Sequence, residues 1–309
     1  MAIYINGSMA YDRIMNFSGS FSESILPDKI HMMNVSFMID RLDEKLGGCA
    51  GNIAYNLAVL GEKGLIVSSV GRDFARYEDA LTALALPLDG ITRCENELTA
   101  GAYIITDENN NQITAFNPGA MRNPAAYAFD AVQPGDFIIV SPGNLDDMRN
   151  VPRLCKEKGA KSIFDPGQQL PVLTGDDLIT AITGSYMLIC NDYEFELVCK
   201  KTGKKSDEIV ALVENVIVTL GEHGSRIHSG GSTVTVPAVA PKQVVDPTGA
   251  GDAYRSGLLK GLSMGLSVFE SAKIGAATAS FCVENHGTQA VFTADECKKR
   301  HLDAFGVSF

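Results

Sequence analysis

After Pro134, four short apolar runs recur, each followed by a stretch of helical character, and no other feature of the chain constrains its fold as strongly. The runs are 137–140 (FIIV), 162–164 (SIF), 187–190 (MLIC) and 216–218 (VIV), with helical stretches near 150, 177, 194 and 208. Strands that are apolar on both faces and separated by helices specify a parallel sheet buried between helical layers. Residues 3–5, ending at Gly7-Ser8, read as one more buried strand, and the last third reads as helices around 251–264, 267–284 and 293–304. With 309 residues, 45% of them hydrophobic and only 20% charged, the chain can bury a large core, and bulk disorder is excluded. No internal repeat or low-complexity linker interrupts it, so residues 1–309 read as one large α/β domain.

Two segments depart from this pattern. Residues 13–46 lack a helical period and contain an apolar extended run over 31–39. Residues 100–116 read as a hairpin, with GAYIIT and QITAF flanking the polar turn cluster DENNN. Both are expected to be β insertions, at about 13–46 and 98–118, that form a lid. The stretch 32–39 is apolar on both faces, and such a strand wants a partner on each side, so a homodimer joined through the lids is expected.

Lys and Arg number 26 against 37 Asp and Glu, a net charge of −11, and a field of that sign repels polyphosphate. Nucleic acid and anionic membrane are therefore excluded as main partners, and any bound phosphate must be held by local groups. No apolar run approaches the length of a membrane span, and MAIYINGSMAYD lacks the basic start and apolar stretch of a signal peptide. The cysteines, Cys49, Cys94, Cys155, Cys190, Cys199, Cys282 and Cys297, are odd in number and scattered without a CxxC pair. They read as reduced thiols of a cytoplasmic protein, neither a disulfide frame nor a zinc site.

The strongest motif is DPTGAGD, Asp246 to Asp252. A strand (QVV) is expected to lead into its glycine turn, and an amphipathic helix (AYRSGLLKGL) leaves it. Gly249, Ala250 and Gly251 would present backbone N–H groups at a helix N-terminus, where the dipole favours an anion and small residues permit close approach. Asp252, at the rim of that pocket, is placed to accept a proton from an attacking hydroxyl. No GK[ST] follows, so this is not a Walker A loop, and the third glycine of a dinucleotide fingerprint is missing. A second motif, GGCAGN, supplies Gly47, Gly48 and Asn52: paired glycines for a hinge or close approach, and an amide that both donates and accepts toward a hydroxyl. It is expected to open a helix over 52–60. Asp12, four residues after Ser8, follows the first strand, where open α/β sheets bind ligands. Alone, Asp252 would read as a cap after a glycine turn and Asp12 as a solvated loop acid.

Together, GG-x-x-x-N near residue 50, DxxGAGD near residue 250 and the β/α units between them resemble the ribokinase-like kinases, the PfkB carbohydrate and nucleoside kinase family, over essentially the whole chain. The resemblance implies a three-layer sandwich with a mostly parallel central sheet and a small β lid. It implies Asp252 as catalytic base, with the Gly249–Gly251 turn as anion hole. The segment NDYE matches the family's N-x-x-E motif, so Asn191 would organise the phosphates and Glu194 would hold Mg²⁺, in part through water. TLGEHG matches the segment that lies along ATP, giving Thr219, Gly221 and Gly224. ATP is thus the implied phosphoryl donor, Mg²⁺ its companion, and a monovalent cation is compatible with the pattern.

Within the family, GSMAYDRIM, SILPDKIH, GGCAGNIAYNLAVLG, NPGAM, DPGQQL and DPTGAGDAYRSG are most similar to bacterial adenosine kinases. Sugar kinases of the family often carry Asn-x-Arg after the acid equivalent to Asp165. Here Gly167, Gln168 and Gln169 follow, and two neutral amides suit a purine edge or a ribose. The missing arginine leaves open which cation meets the transferred phosphoryl group; Arg255 and Arg122 are candidates. Ser8, Asp12, Gly48 and Asn52 would hold the ribose hydroxyls, and Tyr103, Phe116 and Phe37 would stack the base, although alternation alone would read these aromatics as lid core. The expected activity is phosphorylation of the 5′-hydroxyl of adenosine or a related purine nucleoside to give AMP and ADP. A sugar kinase acting on ribose or fructose is the alternative, and a nucleotide-binding regulator without turnover is the rival from another class.

Overall fold

The computed structural model describes residues 1–32 and 34–309. Its strands are β1 (Ile3–Asn6), β2 (Ala10–Asn16), β3 (Arg41–Gly47), β4 (Gly64–Gly71), β5 (Ile91–Cys94), β6 (Ala100–Thr106) and β7 (Gln112–Asn117), followed by β8 (Phe137–Val140), β9 (Lys161–Phe164), β10 (Met187–Asn191), β11 (Asn215–Thr219), β12 (Ser225–Ser229) and β13 (Ser232–Val236). A nine-stranded sheet runs in the order β13-β12-β11-β10-β9-β8-β1-β4-β5. It is parallel from β11 through to β5, while β12 pairs antiparallel with both β11 and the edge strand β13.

The apolar runs form the centre of this sheet because each residue has a helical layer to pack against. Ile3, Ile5, Ile139, Ile189 and Ile217 point into one core, shared with helices Cys49–Val59, Ala250–Ser263 and Val268–Cys282. Their neighbours Tyr4, Ile138, Val140, Leu188 and Val218 point into the other, shared with helices Leu145–Glu157, Gly175–Gly184 and Asp192–Thr202. Alternate residues of one strand thus serve opposite layers, as a sheet covered on both faces requires.

β1 pairs with β4 on one side and β8 on the other, so successive strands are laid down first one way and then the other. A crevice opens beyond the carboxyl ends at such a reversal. Into it project the loops after β1, β8, β9, β10 and β11.

A second, four-stranded sheet, β3-β2-β6-β7, stands on this edge. β2 leaves β1 after three intervening residues, and β3 returns through Gly47 and Gly48 to helix Cys49–Val59. Its root is tied to the body by two tyrosines: Tyr11 donates its hydroxyl to the Asp73 carbonyl at 2.9 Å, and Tyr77 donates to the Gly47 carbonyl at 2.9 Å.

Three expectations change. The run 31–39 is not a strand: Pro27–Met32 is a 3₁₀ turn, and residues 34–39 form no ladder. Val35, Phe37 and Ile39 are half-buried while Met38 is exposed, so one face is covered and the β ladder begins only at Arg41. Met33, within that run, lies outside the described residues. QVV before DPTGAGD is likewise not a strand. There the Val245 amide donates to the Val283 carbonyl at 2.7 Å and the Lys242 amide to Glu284 at 2.6 Å, so helix termini, not a neighbouring strand, take its donors. Finally, helix Cys49–Val59 starts three residues before Asn52, directly after Gly48, and the first segment of the small sheet starts at Ala10, before residue 13.

Candidate functional site

Two helix N-termini, more than 200 residues apart in sequence, meet beyond the sheet. Gly48 precedes the first with φ +86°, and a Cβ there would lie 2.6 Å from the Ser8 carbonyl and 2.7 Å from the Ala10 amide, so only glycine passes. Gly249 precedes the second with φ +83°, pressed against Thr288, where a Cβ would fall 2.7 Å from Cα. The pairing of the two helices places Asn52 against Asp252, and the Asn52 amide donates to Oδ2 of Asp252 at 2.8 Å. The Asn52 carbonyl in turn accepts from the Thr288 hydroxyl at 2.8 Å, which fixes the amide's orientation. Burial pushes the Asp252 carboxyl above the usual carboxylate range; the Arg255 guanidinium and the Asn52 amide pull against it.

On the small-sheet side, Asp12 lies over Gly47, whose missing side chain makes room for its carboxylate. Burial and the nearby charge of Asp252 raise its pKa, and Lys45, its cross-strand neighbour on β3, lowers it. Ser8 takes part through its backbone and hydroxyl in starting the Asn52 helix: its Oγ accepts from the Cys49 amide at 3.1 Å and its carbonyl from the Ala50 amide at 2.9 Å.

On the opposite side of Asp252 lies a cavity of about 570 Å³. Gly249, Ala250 and Gly251 form one end. The Ala250 amide is turned to the Pro247 carbonyl at 3.2 Å, so of these three amides those of Gly249 and Gly251 are left without a partner among the described residues. Gln168, Asn191, Glu194, Thr219, Gly221 and Gly224 line the floor, and Val239, Val244, Ala276, Ala279 and Val283 make an apolar far wall. Asn191 and Glu194 cap their own helix reciprocally: the Asn191 side chain accepts from the Glu194 amide at 2.7 Å, and Oε2 of Glu194 accepts from the Asn191 amide at 2.8 Å. Thr219 donates its hydroxyl to the Cys190 carbonyl at 3.4 Å.

Beneath Gly251 runs a buried ion pair. Nη2 of Arg255 donates to Oδ1 of Asp165, at the end of β9, at 2.6 Å. Burial drives the Asp165 carboxyl up to about 7 against the pull of the guanidinium; burial also works against the charge on Arg255, but Asp165, Asp252 and Glu194 outweigh it and keep the guanidinium protonated.

Several expected binding residues are not brought together. Register places Asp12, Ala102 and Phe116 on one face of the small sheet, and Arg13, Tyr103 and Ala115 on the other. Tyr103 is therefore turned away from Asp12 and Phe116. Its hydroxyl accepts from Nη1 of Arg13 at 3.2 Å, and the guanidinium lies over its ring. Phe37 packs with Phe17 and Phe21, ring centroids 5.0 and 5.2 Å away, beyond the distal end of β2 and away from Asp12. Gln168 reaches the cavity, whereas Gln169 donates to the Gly143 carbonyl at 2.8 Å and braces two loops. Arg122 is exposed in a 3₁₀ turn and does not line the cavity.

Sequence reasoning passed over Cys49 and Thr288. Cys49 lines the cavity beside Asp252. Thr288 follows Gly287, which has φ +92° and accepts no Cβ freely, packed on Lys45; the NHG triplet after the long helix was the signal for a turn returning to the site.

The model of the pfkB family of carbohydrate kinases matches residues 9–295. A nucleoside kinase of Methanocaldococcus jannaschii is 34% identical over 267 residues, covering 85% of this chain and 87% of its own. Among solved structures, the Burkholderia thailandensis nucleoside kinase in complex with inosine superposes with a TM-score of 0.89 at 36% identity, over 99% of this chain and 98% of that one. The same enzyme in complex with ADP-inosine gives 0.84 at 39% identity, over 99% and 97%.

Proposed function

The chain belongs to the pfkB family of carbohydrate kinases, and on that premise we propose that it is an ATP-dependent kinase phosphorylating the 5′-hydroxyl of a purine nucleoside, adenosine foremost. The observation that carries this reading is the Asn52–Asp252 hydrogen bond. It joins the small-sheet side, where Asp12 and the Gly47-Gly48 turn offer acceptors and backbone to ribose hydroxyls, to the end of the cavity with free amides. A hydroxyl held by Asp12 and Asn52 meets the Asp252 carboxylate on one side and an anion pocket on the other. Asp252 takes the hydroxyl proton while the oxygen attacks the γ-phosphorus, and the Gly249 and Gly251 amides hold the charge that develops. Phosphoryl transfer asks mainly for positioning and charge stabilisation, which these groups supply.

The cavity suits the nucleotide: phosphates toward Gly249–Gly251 and Asn191, base toward the apolar wall, with Thr219, Gly221 and Gly224 along its length. Among the described residues no cluster of three or more His, Cys, Asp or Glu could cage a metal. Glu194 spends Oε2 on its helix cap and leaves Oε1 for water, a donor set that fits a hydrated Mg²⁺ carried on the phosphates. When bound, that ion neutralises phosphate charge. Phe116, half exposed on the Asp12 face, is the aromatic that would stack the base; Ser8 supports the ribose side by shaping the turn. The Burkholderia thailandensis nucleoside kinase, described in complex with inosine and with ADP-inosine, supports a purine nucleoside and an adenine nucleotide as ligands.

The small sheet is a lid over the acceptor within one ribokinase-like domain, and its exposed Leu42 and Ile113, with Met38 in the segment leading into it, support a homodimer through it. The free cysteines among the described residues suit the reducing cytoplasm, and no helix among those residues is long and apolar enough to cross a membrane. The deciding measurement is ADP release from ATP with a panel of adenosine, inosine, other nucleosides, ribose and fructose. Adenosine and inosine should lead. Efficient turnover of ribose or fructose with none of nucleosides would overturn the nucleoside reading.

A further inference from the structure

Asp165, Glu194, Glu222 and Asp252 all line the large cavity, and among the described residues Arg255 is the one basic side chain that lines it with them. Arg255 is only 7% exposed, yet a single one of its side-chain nitrogens is engaged, Nη2 on Asp165. Nε is buried without a partner, and Nη1 has no acceptor among the described residues. Nη1 occupies the space into which a side chain at residue 251 would grow: a Cβ on Gly251 would lie 2.7 Å from it. Residues four apart share a helix face, so the guanidinium of residue 255 folds back over residue 251 and reaches the free-amide end of the cavity. Glycine at 251 thus has a second use, as the gap through which a cation comes up to the anion pocket. Asp165, coming from the end of β9, holds the fork in that gap.

A buried guanidinium with N–H groups left unpaired is costly, and an acceptor delivered by a ligand would satisfy it. We infer that Arg255 is a catalytic residue of the phosphoryl transfer, donating from Nη1 to an oxygen of the transferred group, with Asp165 as the residue that positions it. This rests on the kinase reading above. As the acceptor oxygen bonds to the γ-phosphorus, its proton passes to Asp252. The bond from phosphorus to the β,γ-bridging oxygen breaks, and its electron pair leaves with ADP. Arg255 stays protonated throughout and offsets the charge on the equatorial oxygens; Asp165, Asp252 and Glu194 all favour its charged form.

The test compares wild type with Arg255→Met and with the double variant Arg255→Met/Asp165→Asn, which removes both charges and leaves no uncompensated carboxylate should the single variant fail to fold. Steady-state ADP release and calorimetric binding of ADP, which lacks the transferred group, are measured on each. The double variant is expected to fold, to bind ADP within about threefold of wild type, and to lose kcat by about 10²–10³, the scale of removing one donor from a preorganised oxyanion site. Turnover by the double variant near the wild-type rate overturns the inference, and so does a loss of ADP affinity as large as the loss of kcat, which would mark the pair as structural. If the wild-type protein itself releases no ADP with any nucleoside or sugar, it is the kinase reading that falls.

Discussion

Replacing Asn52 with leucine isolates the contact on which the proposed chemistry turns. The side chain is 3% exposed, and its amide is a single donor to the Asp252 carboxylate at 2.8 Å. Leucine keeps its branching and number of heavy atoms, with bulkier methyls in place of the amide, and the Thr288 hydroxyl, which loses its acceptor, has the Leu46 carbonyl within 3.5 Å as an alternative. With substrates saturating, so that the contact of Asn52 with the acceptor hydroxyl weighs less, the main loss is one hydrogen bond to a charged group. Such bonds contribute about 1.5–3 kcal/mol, and here the whole amount stabilises the ionised, proton-accepting form of Asp252. Burial already favours the protonated carboxyl, with Asn52 among the groups that resist it, so the direction is set: without the amide, the base protonates at higher pH. On the acid side of the rate profile, where ionised Asp252 limits turnover, the variant should be slower by about tenfold to hundredfold, since each 1.4 kcal/mol is a factor of ten. At high pH, where the carboxylate is ionised in both proteins, kcat should converge. The assay is coupled ADP release from pH 5 to 9 at saturating substrates, which reads the ionisation in the loaded enzyme. Superimposable pH profiles in a folded variant would refute the claim that Asn52 tunes the base. A uniform loss at every pH would instead assign Asn52 to substrate positioning alone.

Asp252→Asn should leave nucleotide binding nearly intact while lowering kcat by about 10² or more, the usual scale for a positioned base; near-normal turnover would reduce Asp252 to a helix-start residue. Gly48→Val should damage the fold itself, because its Cβ would meet the backbone of residues 8–10 at a φ of +86°. A melting temperature lowered in line with about 1–3 kcal/mol of strain is expected, and a KM effect on the acceptor with unchanged stability would contradict it. Phe116→Ala should weaken adenosine by up to about a hundredfold, since base stacking on an aromatic contributes ~1–3 kcal/mol, while Tyr103→Ala, on the opposite sheet face, should change it little; the reverse order in KM measurements would show that the register argument fails. Sedimentation should give twice the mass of one chain, reduced by Leu42→Glu or Ile113→Lys on the exposed face, and a monomer at every concentration would refute the lid dimer.

What was readable in the sequence was what local periodicity encodes. The runs FIIV, SIF, MLIC and VIV are apolar at every position but Ser162 because both faces of each strand meet helices, so strand identity and parallel pairing follow from these runs and their alternation with helical stretches. The C-terminal helices fell within two residues of their expected limits for the same reason. The stretch 31–39 failed because hydrophobicity marks burial, not pairing, and no neighbouring strand offers residues 34–39 a ladder. Phe116 and Tyr103 looked alike as hairpin aromatics; only the register with β2 separates their faces. Asp252, Gly249 and Asn52 were legible as motif residues, but their contact is a product of helix packing between residues 200 apart in sequence. Thr288, which orients Asn52, carries no motif, and the Arg255–Asp165 pair joins residues 90 apart that each look unremarkable alone.

The charge of the chain is consistent with this chemistry once it is resolved by place. A net charge of −11 opposes a polyphosphate ligand, and the cavity repeats that imbalance, with four carboxylates to one guanidinium among its lining residues. Attraction at long range therefore contributes nothing to nucleotide binding; the favourable terms are short-ranged and dry. They are the unpaired amides of Gly249 and Gly251, the N-terminal dipole of helix Ala250–Ser263, and a guanidinium held in place by Asp165. Acids near the phosphates, Glu194 foremost, make sense only if the nucleotide arrives with its own cation, whose water shell they can accept. A site built this way discriminates by fit, because an anion that does not reach the free amides meets only repulsion. The same arrangement suits the role proposed for Asp252: burial makes its carboxyl bind a proton more readily than one in water, while the Asn52 amide and Arg255 favour the ionised form that the proposed proton transfer needs.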